Sequence, residues 1–137
     1  MPSRFADRFK IVSPGYEIEC STGADVVSGR YAKTPEEAIR EVSQNIVSML
    51  PPTFERPVVW QNGIVRISGG LANYGIVDYR MIVFNEIRMR TIVMMNAVRI
   101  RNERAQVIFL FCGSDQGLFP RVREAVEQVM STLAVHP

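Results

Sequence analysis

The stretch VDYRMIVFNEIRMRTIVMMNAVRIRNERAQVIFLFC, from Val77 to Cys112, constrains this chain more than any other part. Apolar and β-favouring residues fill it almost without a break, and their alternation resolves it into three strands. In the first, about Ile76 to Phe84, Val77, Tyr79, Met81 and Val83 fall on one face, while Asp78, Arg80, Ile82 and Phe84 share the other. In the second, about Arg88 to Arg101, Ile92 and Met94 point one way and Val93, Met95 and Ala97 the other. The third, Ala105 to Cys112, carries Val107, Phe109 and Phe111 opposite Ile108, Leu110 and Cys112, with Asn102-Glu103-Arg104 as the turn before it. Strands that are apolar on both faces need cover on both faces.

Two helices can supply that cover. Thr34-Pro35-Glu36-Glu37 is a helix start: Thr34 caps, proline suits the first helical position, and Glu37 stands where a capping box wants its carboxylate. Ile39, Val42, Ile46, Met49 and Leu50 then recur at spacings of three and four until Pro51-Pro52, which predicts a helix over Pro35 to Leu50. Leu118, Val122, Val126, Val129, Met130 and Leu133 repeat the pattern and predict a second helix from Pro120 to Leu133, with Ser114-Asp115 as a turn and cap before it.

The remaining segments read as strands and turns. Phe9 and Ile11, then Tyr16, Ile18 and Cys20, alternate around Ser13-Pro14-Gly15, and Asp25 to Tyr31 is a further candidate strand. Val58 to Gln61 and Ile64 to Ile67 flank Asn62-Gly63, the dipeptide favoured in two-residue hairpins because both positions take positive φ. Ser68 to Gly75 reads as a glycine-containing loop. These elements predict an α+β fold: an antiparallel sheet of about six to seven strands with one helix packed on each face, an α/β/α sandwich formed by a single domain over residues 1–137.

Few chemistries fit this composition. With 137 residues, 47% hydrophobic and 22% charged, and a formal net charge of +2, the chain has the balance of a soluble globular domain and does not by itself call for nucleic acid. His136 is the one histidine and stands next to the last residue, so histidine triads and histidine-based metal sites are not expected. Ser68 to Gly75 lacks the spacing of a phosphate-cradling loop, and no cofactor is expected. Asp78 and Glu86 read as solvated charges at strand ends. Cys20 and Cys112 are far apart, neither belongs to a CxxC pair, and buried free thiols are expected. The N-terminal MPSRFADRFK has charges where a signal peptide needs an apolar core, so a cytoplasmic location is expected, with no membrane span.

Arginine is the compositional oddity. Fourteen of the 16 basic residues are arginine, and Arg66, Arg80, Arg88, Arg90, Arg99, Arg101 and Arg104 face only Asp78, Glu86 and Glu103 within their stretch. Such a cluster can contact phosphates or dock an acidic protein segment. Strand parity, however, sets Arg88 and Arg90 on the opposite face from Arg99 and Arg101, and a divided patch is a weak nucleic-acid footprint.

The element order, with FKIVSPGYEI near the start, TPEEAIREVSQNI opening the first helix, and the run from Asp78-Tyr79-Arg80 through Ala105-Gln106-Val107-Ile108 and Phe119-Pro120 to Ser131-Thr132-Leu133, resembles the PsbP-like superfamily. That superfamily includes the photosystem PsbP protein, the yeast Ran release factor, DcrB-type proteins and chaperones of type VI secretion effectors. The resemblance implies a non-enzymatic cytoplasmic adaptor or chaperone, serving a secreted effector in the last branch, with dimerisation and a protein partner offering an apolar or acidic segment. Met81, Met89, Met94 and Met95 would then be adaptable contacts, and Arg80, Arg88, Arg90, Arg99 and Arg101 the charged rim. Core packing is the simpler account of Met94-Met95. RNA or polyanion binding through the arginines is the alternative function.

Overall fold

A computed structural model describes residues 5–27, 34–101 and 104–133. Strands β1 (Phe5–Ser13) and β2 (Tyr16–Val27) form a hairpin, helix α1 (Pro35–Gln44) follows, then β3 (Glu55–Ile67), β4 (Gly70–Val83), β5 (Glu86–Arg101), β6 (Arg104–Asp115) and helix α2 (Phe119–Met130). The strands lie in the order β1-β2-β6-β5-β4-β3, every neighbouring pair antiparallel, so the last strand of the β3–β6 meander closes against β2. The α+β class and the antiparallel sheet agree with expectation, and among the described residues the strands number six. The candidate strand at Asp25 continues β2 as far as Val27, and residues 28–31 lie outside the described residues.

The first helix starts as its sequence predicts, the Thr34 side chain accepting a hydrogen bond from the Glu37 amide at 3.2 Å. It stops at Gln44 rather than Leu50, and a 3-10 turn covers Ile46–Met49. Asn45 makes the break, its side-chain amide donating to the Glu41 carbonyl at 2.9 Å while its own carbonyl accepts from Ser48 Oγ at 2.6 Å. The tighter turn seats Ile46 on Gly75, where a Cβ would stand 2.1 Å from Ile46 Cδ1. Any side chain at that position has to displace the Ile46 terminal methyl.

The hairpin turn expected at Asn62-Gly63 is elsewhere. β3 runs straight through that dipeptide, Asn62 opposite Gly75 and Gly63 opposite Tyr74, and the chain reverses at Ser68-Gly69 with Gly69 at φ +89°. Residues 70–75, expected as loop, are the start of β4. Asn62 is held in the strand by tertiary hydrogen bonds: its oxygen accepts from Asn73 at 2.6 Å, and its amide donates to the Ser43 carbonyl at 2.8 Å. Asn73 in turn accepts from Asn96 at 3.3 Å, so a chain of amides crosses β5, β4 and β3 to the end of α1. Residues that need positive φ in a two-residue turn occur instead at Phe84 (+50°) and Asn85 (+63°), between β4 and β5.

Along β5, side chains alternate between core clusters. Val93, Met95 and Ala97 pack with Ile76, Leu110 and the α2 residues Phe119, Val122, Val126 and Met130. Ile92 and Met94 pack with Ile46, Val77, Tyr79, Phe109 and Phe111, while Val98 and Val107 meet Ala38, Ile39 and Val42 of α1. Each fully buried aliphatic side chain contributes about 1.5–3 kcal/mol. The second helix begins at Phe119, after a 3-10 turn at Gln116–Leu118, and Asp115 makes no capping hydrogen bond.

The cysteines are not free thiols. Cys20 and Cys112 are direct cross-strand partners on β2 and β6 and form a disulfide, both nearly inaccessible within the core. Their sequence separation of 92 conceals a pairing that only the closure of β6 onto β2 creates. No helix among the described residues is long and apolar enough to cross a membrane.

Candidate functional site

Two features at the same end of the sheet stand out, one apolar and exposed, the other polar and recessed. The first is the β4–β5 hairpin. Ile82 pairs with Ile87 and Arg80 with Met89, so Ile82, Ile87 and Met89 share a face, and Val58 joins them across from Asp78. They are exposed by 58%, 61%, 51% and 60% respectively, and Phe84 at the tip by 96%. Clustered apolar exposure of this kind differs from the single surface leucines that any soluble protein carries. Phe84 also sits at positive φ, an unusual conformation for a bulky residue. Arg80 lies 3.8 Å from Glu55, Arg88 bonds Asp115 at 3.0 Å, and exposed Arg56 has no ion pair among the described residues. Arg80 shares the face of the patch, whereas Arg88, opposite Met81 in register, lies on the other face beside Arg90.

The second feature is built around Arg90. Its side chain, 9% exposed, donates to Asp115 at 3.0 Å and lies 3.7 Å from Glu19. Burial disfavours the charged guanidinium, but the hydrogen bond and charge of Tyr79, then Asp115 and Glu19, outweigh it and hold Arg90 above its ordinary pKa. Burial likewise raises Tyr79, against the opposing hydrogen bond and charge of Arg90. Tyr79 stacks on Phe54, ring centroids 3.9 Å apart, and the two border a cavity of about 430 Å³.

Asp78, expected as a solvated charge, is a structural acceptor. It receives hydrogen bonds from Thr91 at 2.6 Å, Gln116 at 3.1 Å and Trp60 Nε1 at 3.3 Å, tying β3, β4 and β5 to the turn before α2. Arg123 lies over the Trp60 ring at 5.5 Å, and Phe119 meets that ring edge-on.

The contact residues expected from sequence are dispersed. Met94 (0% exposed) and Met95 (4%) are core side chains in different clusters and offer nothing at the surface, their neighbours on β4 and β6 filling the space around them. Met81 lines the cavity and Met89 belongs to the exposed patch. Arg80, Arg88 and Arg90 gather at the hairpin end with carboxylates beside them. Arg99 bonds Gln106 at 3.1 Å further along the sheet, and the Arg101 side chain lies outside the described residues. Unbroken pairing of β5 with β4 and β6 gives the parity expected for Arg88, Arg90 and Arg99. Sequence reasoning missed Ile82, Phe84 and Ile87 as a surface; the signal was two apolar residues on the mixed face of β4, leading into a turn. His136 is outside the described residues, among which no group of three metal-ligating side chains occurs.

No protein-family model matches the sequence, and no curated protein does either. Solved structures share the fold, PA94 and LpqN among them. PA94 from Pseudomonas aeruginosa, a protein of unknown function, superposes with a TM-score of 0.58 at 15% identity, covering 98% of this chain and 85% of that one. LpqN, involved in cell envelope biogenesis of Mycobacterium tuberculosis, superposes with a TM-score of 0.57 at 9% identity, covering 99% and 86%. At such identities the likeness is one of fold.

Proposed function

We propose that this chain is a non-enzymatic protein-binding module, an adaptor or chaperone of PsbP-like architecture with one helix on each face of its sheet. The alternation of α1-packed and α2-packed residues along β5 supports that architecture. The observation that carries the function is Phe84, 96% exposed at the head of a patch formed with Val58, Ile82, Ile87 and Met89. A sequence selected only to fold would place asparagine or glycine at that positive φ and polar residues beside it. The occupant that fits is an amphipathic protein segment with an apolar stripe for the patch and carboxylates for Arg56 and Arg80.

The test is fluorescence anisotropy with an amphipathic helical peptide, leucine on one face and glutamate on the other. The double variant Phe84→Ser/Ile87→Ser should weaken binding about tenfold or more, with modest dependence on salt. Binding that falls steeply with salt and ignores the double variant would replace this reading by the polyanion one. Self-association that grows with concentration and disappears in the double variant would assign the patch to a second copy of the chain.

The disulfide bears on location. Such bonds persist in oxidising compartments, and LpqN belongs to envelope biogenesis, so we place this protein's work outside the reducing cytoplasm rather than within it. Thiol alkylation of the protein in its native cells before lysis should leave both cysteines unlabelled; two labelled cysteines would return it to the cytoplasm.

A further inference from the structure

We propose that the cavity beside Arg90 binds a single-chain apolar carboxylate. Helix α1 lies over β3, β4 and β5, and beyond its end the same face of the sheet is walled by the segment through Pro51 and Phe54, leaving a hollow of about 430 Å³. That size falls within the range of small-molecule sites, roughly 300–1,000 Å³. Its floor and walls are apolar: Phe54, Tyr79, Met81, Ile92, Phe109 and Phe111. On the β1–β2 side the lining is polar, Arg8 standing opposite Ser21 in register with Glu19 two residues away on the same face, and Arg90 reaches the cavity from β5.

The charges there favour an anion. Arg90 is anchored by Asp115, which it shares with Arg88, whereas its contact with Glu19 is longer, at 3.7 Å, and Glu19 is half exposed. Arg8 has no ion pair or hydrogen bond among the described residues. Two guanidinium groups thus line the cavity against one loosely held carboxylate. A ligand carboxylate takes the place of the Glu19 side chain, bonds Arg90 and Arg8, and directs its hydrocarbon body toward Phe54, Met81 and Phe111. Glu19 then acts as an internal competitor. The cavity and the exposed hairpin patch are separate surfaces, so this site does not depend on the protein-docking reading.

Isothermal titration calorimetry of the oxidised chain with decanoate, below its micelle concentration, tests the site. Saturable one-to-one binding is expected, with none for decyltrimethylammonium and markedly weaker binding for decanol. Arg8→Gln, at an exposed position, should weaken decanoate about tenfold by removing a charge-assisted contact, and Glu19→Gln should tighten it about threefold by removing the competitor. Ser21→Trp, folded by its thermal transition, should abolish binding by filling the hollow, while Phe84→Ser should leave it unchanged. No saturable heat, equal binding of decanol or of the cation, or an affinity untouched by both Arg8→Gln and Ser21→Trp would overturn the proposal.

Discussion

Reducing the Cys20–Cys112 bond should cost this protein a large share of its stability. The bridge joins residues 92 apart in sequence, so in the unfolded chain it closes a loop of nearly that length. Chain-entropy loss for such a loop follows about −2.1 − 1.5R ln n cal/mol/K, which for that separation comes to about 4.6 kcal/mol at 25 °C. The native state has little to lose by the cut itself, because β2 and β6 remain paired through a ladder from Glu19 to Val27. Nearly all of the effect therefore acts through the unfolded chain. Urea unfolding of oxidised and reduced protein, followed by far-UV circular dichroism, should give a lower midpoint and a larger m-value after reduction, since the uncrosslinked chain exposes more surface. In thermal unfolding the same difference corresponds to about 15 °C for a chain of 137 residues. A Cys20→Ala/Cys112→Ala variant should behave like the reduced protein. Identical urea midpoints before and after complete reduction would refute the loop-closure reasoning.

Other perturbations follow from single contacts. Gly75→Ala drives a methyl group against Ile46 and should destabilise by about 1–3 kcal/mol in urea, with Ile46→Ala in the same chain recovering part of the loss. Asp78→Ala strips the shared acceptor from Trp60, Thr91 and Gln116 and should cost about 1–3 kcal/mol while shifting Trp60 fluorescence. Phe84→Gly relieves the positive φ and should raise stability by about 1 kcal/mol while weakening peptide binding, opposite signs that a purely structural residue would not show. Tyr79 has its pKa raised above 10.0 by burial, so it is neutral in both folded and unfolded chains well below that pH. Its contribution is lost as pH climbs from the unfolded value through the folded one; Tyr79→Phe should remove that part of the alkaline loss, seen by urea midpoints on either side of pH 10.0.

Local chemistry alone determined much of this protein. Thr34-Pro35 marks the helix start locally, because the threonine side chain reaches the Glu37 amide within one turn. The two-sided apolarity of β5 and β6 follows from the parity of Ile92 to Ala97 and of Val107 to Cys112, since side chains alternate along any strand. Tertiary structure decided what depends on distant neighbours. Asn62-Gly63 has the composition of a turn, yet Ser43 and Asn73 claim the Asn62 amide and hold it in a strand. Asn45 ends α1 early, and Ile46 finds its seat only because β4 presents a glycine there. Met94 and Met95 are core and Met89 is surface, although all three lie on one strand, because packing over β5 ends before the hairpin does. The disulfide depends on the same closure: 92 residues separate two cysteines that a sheet returning to its own second strand sets face to face.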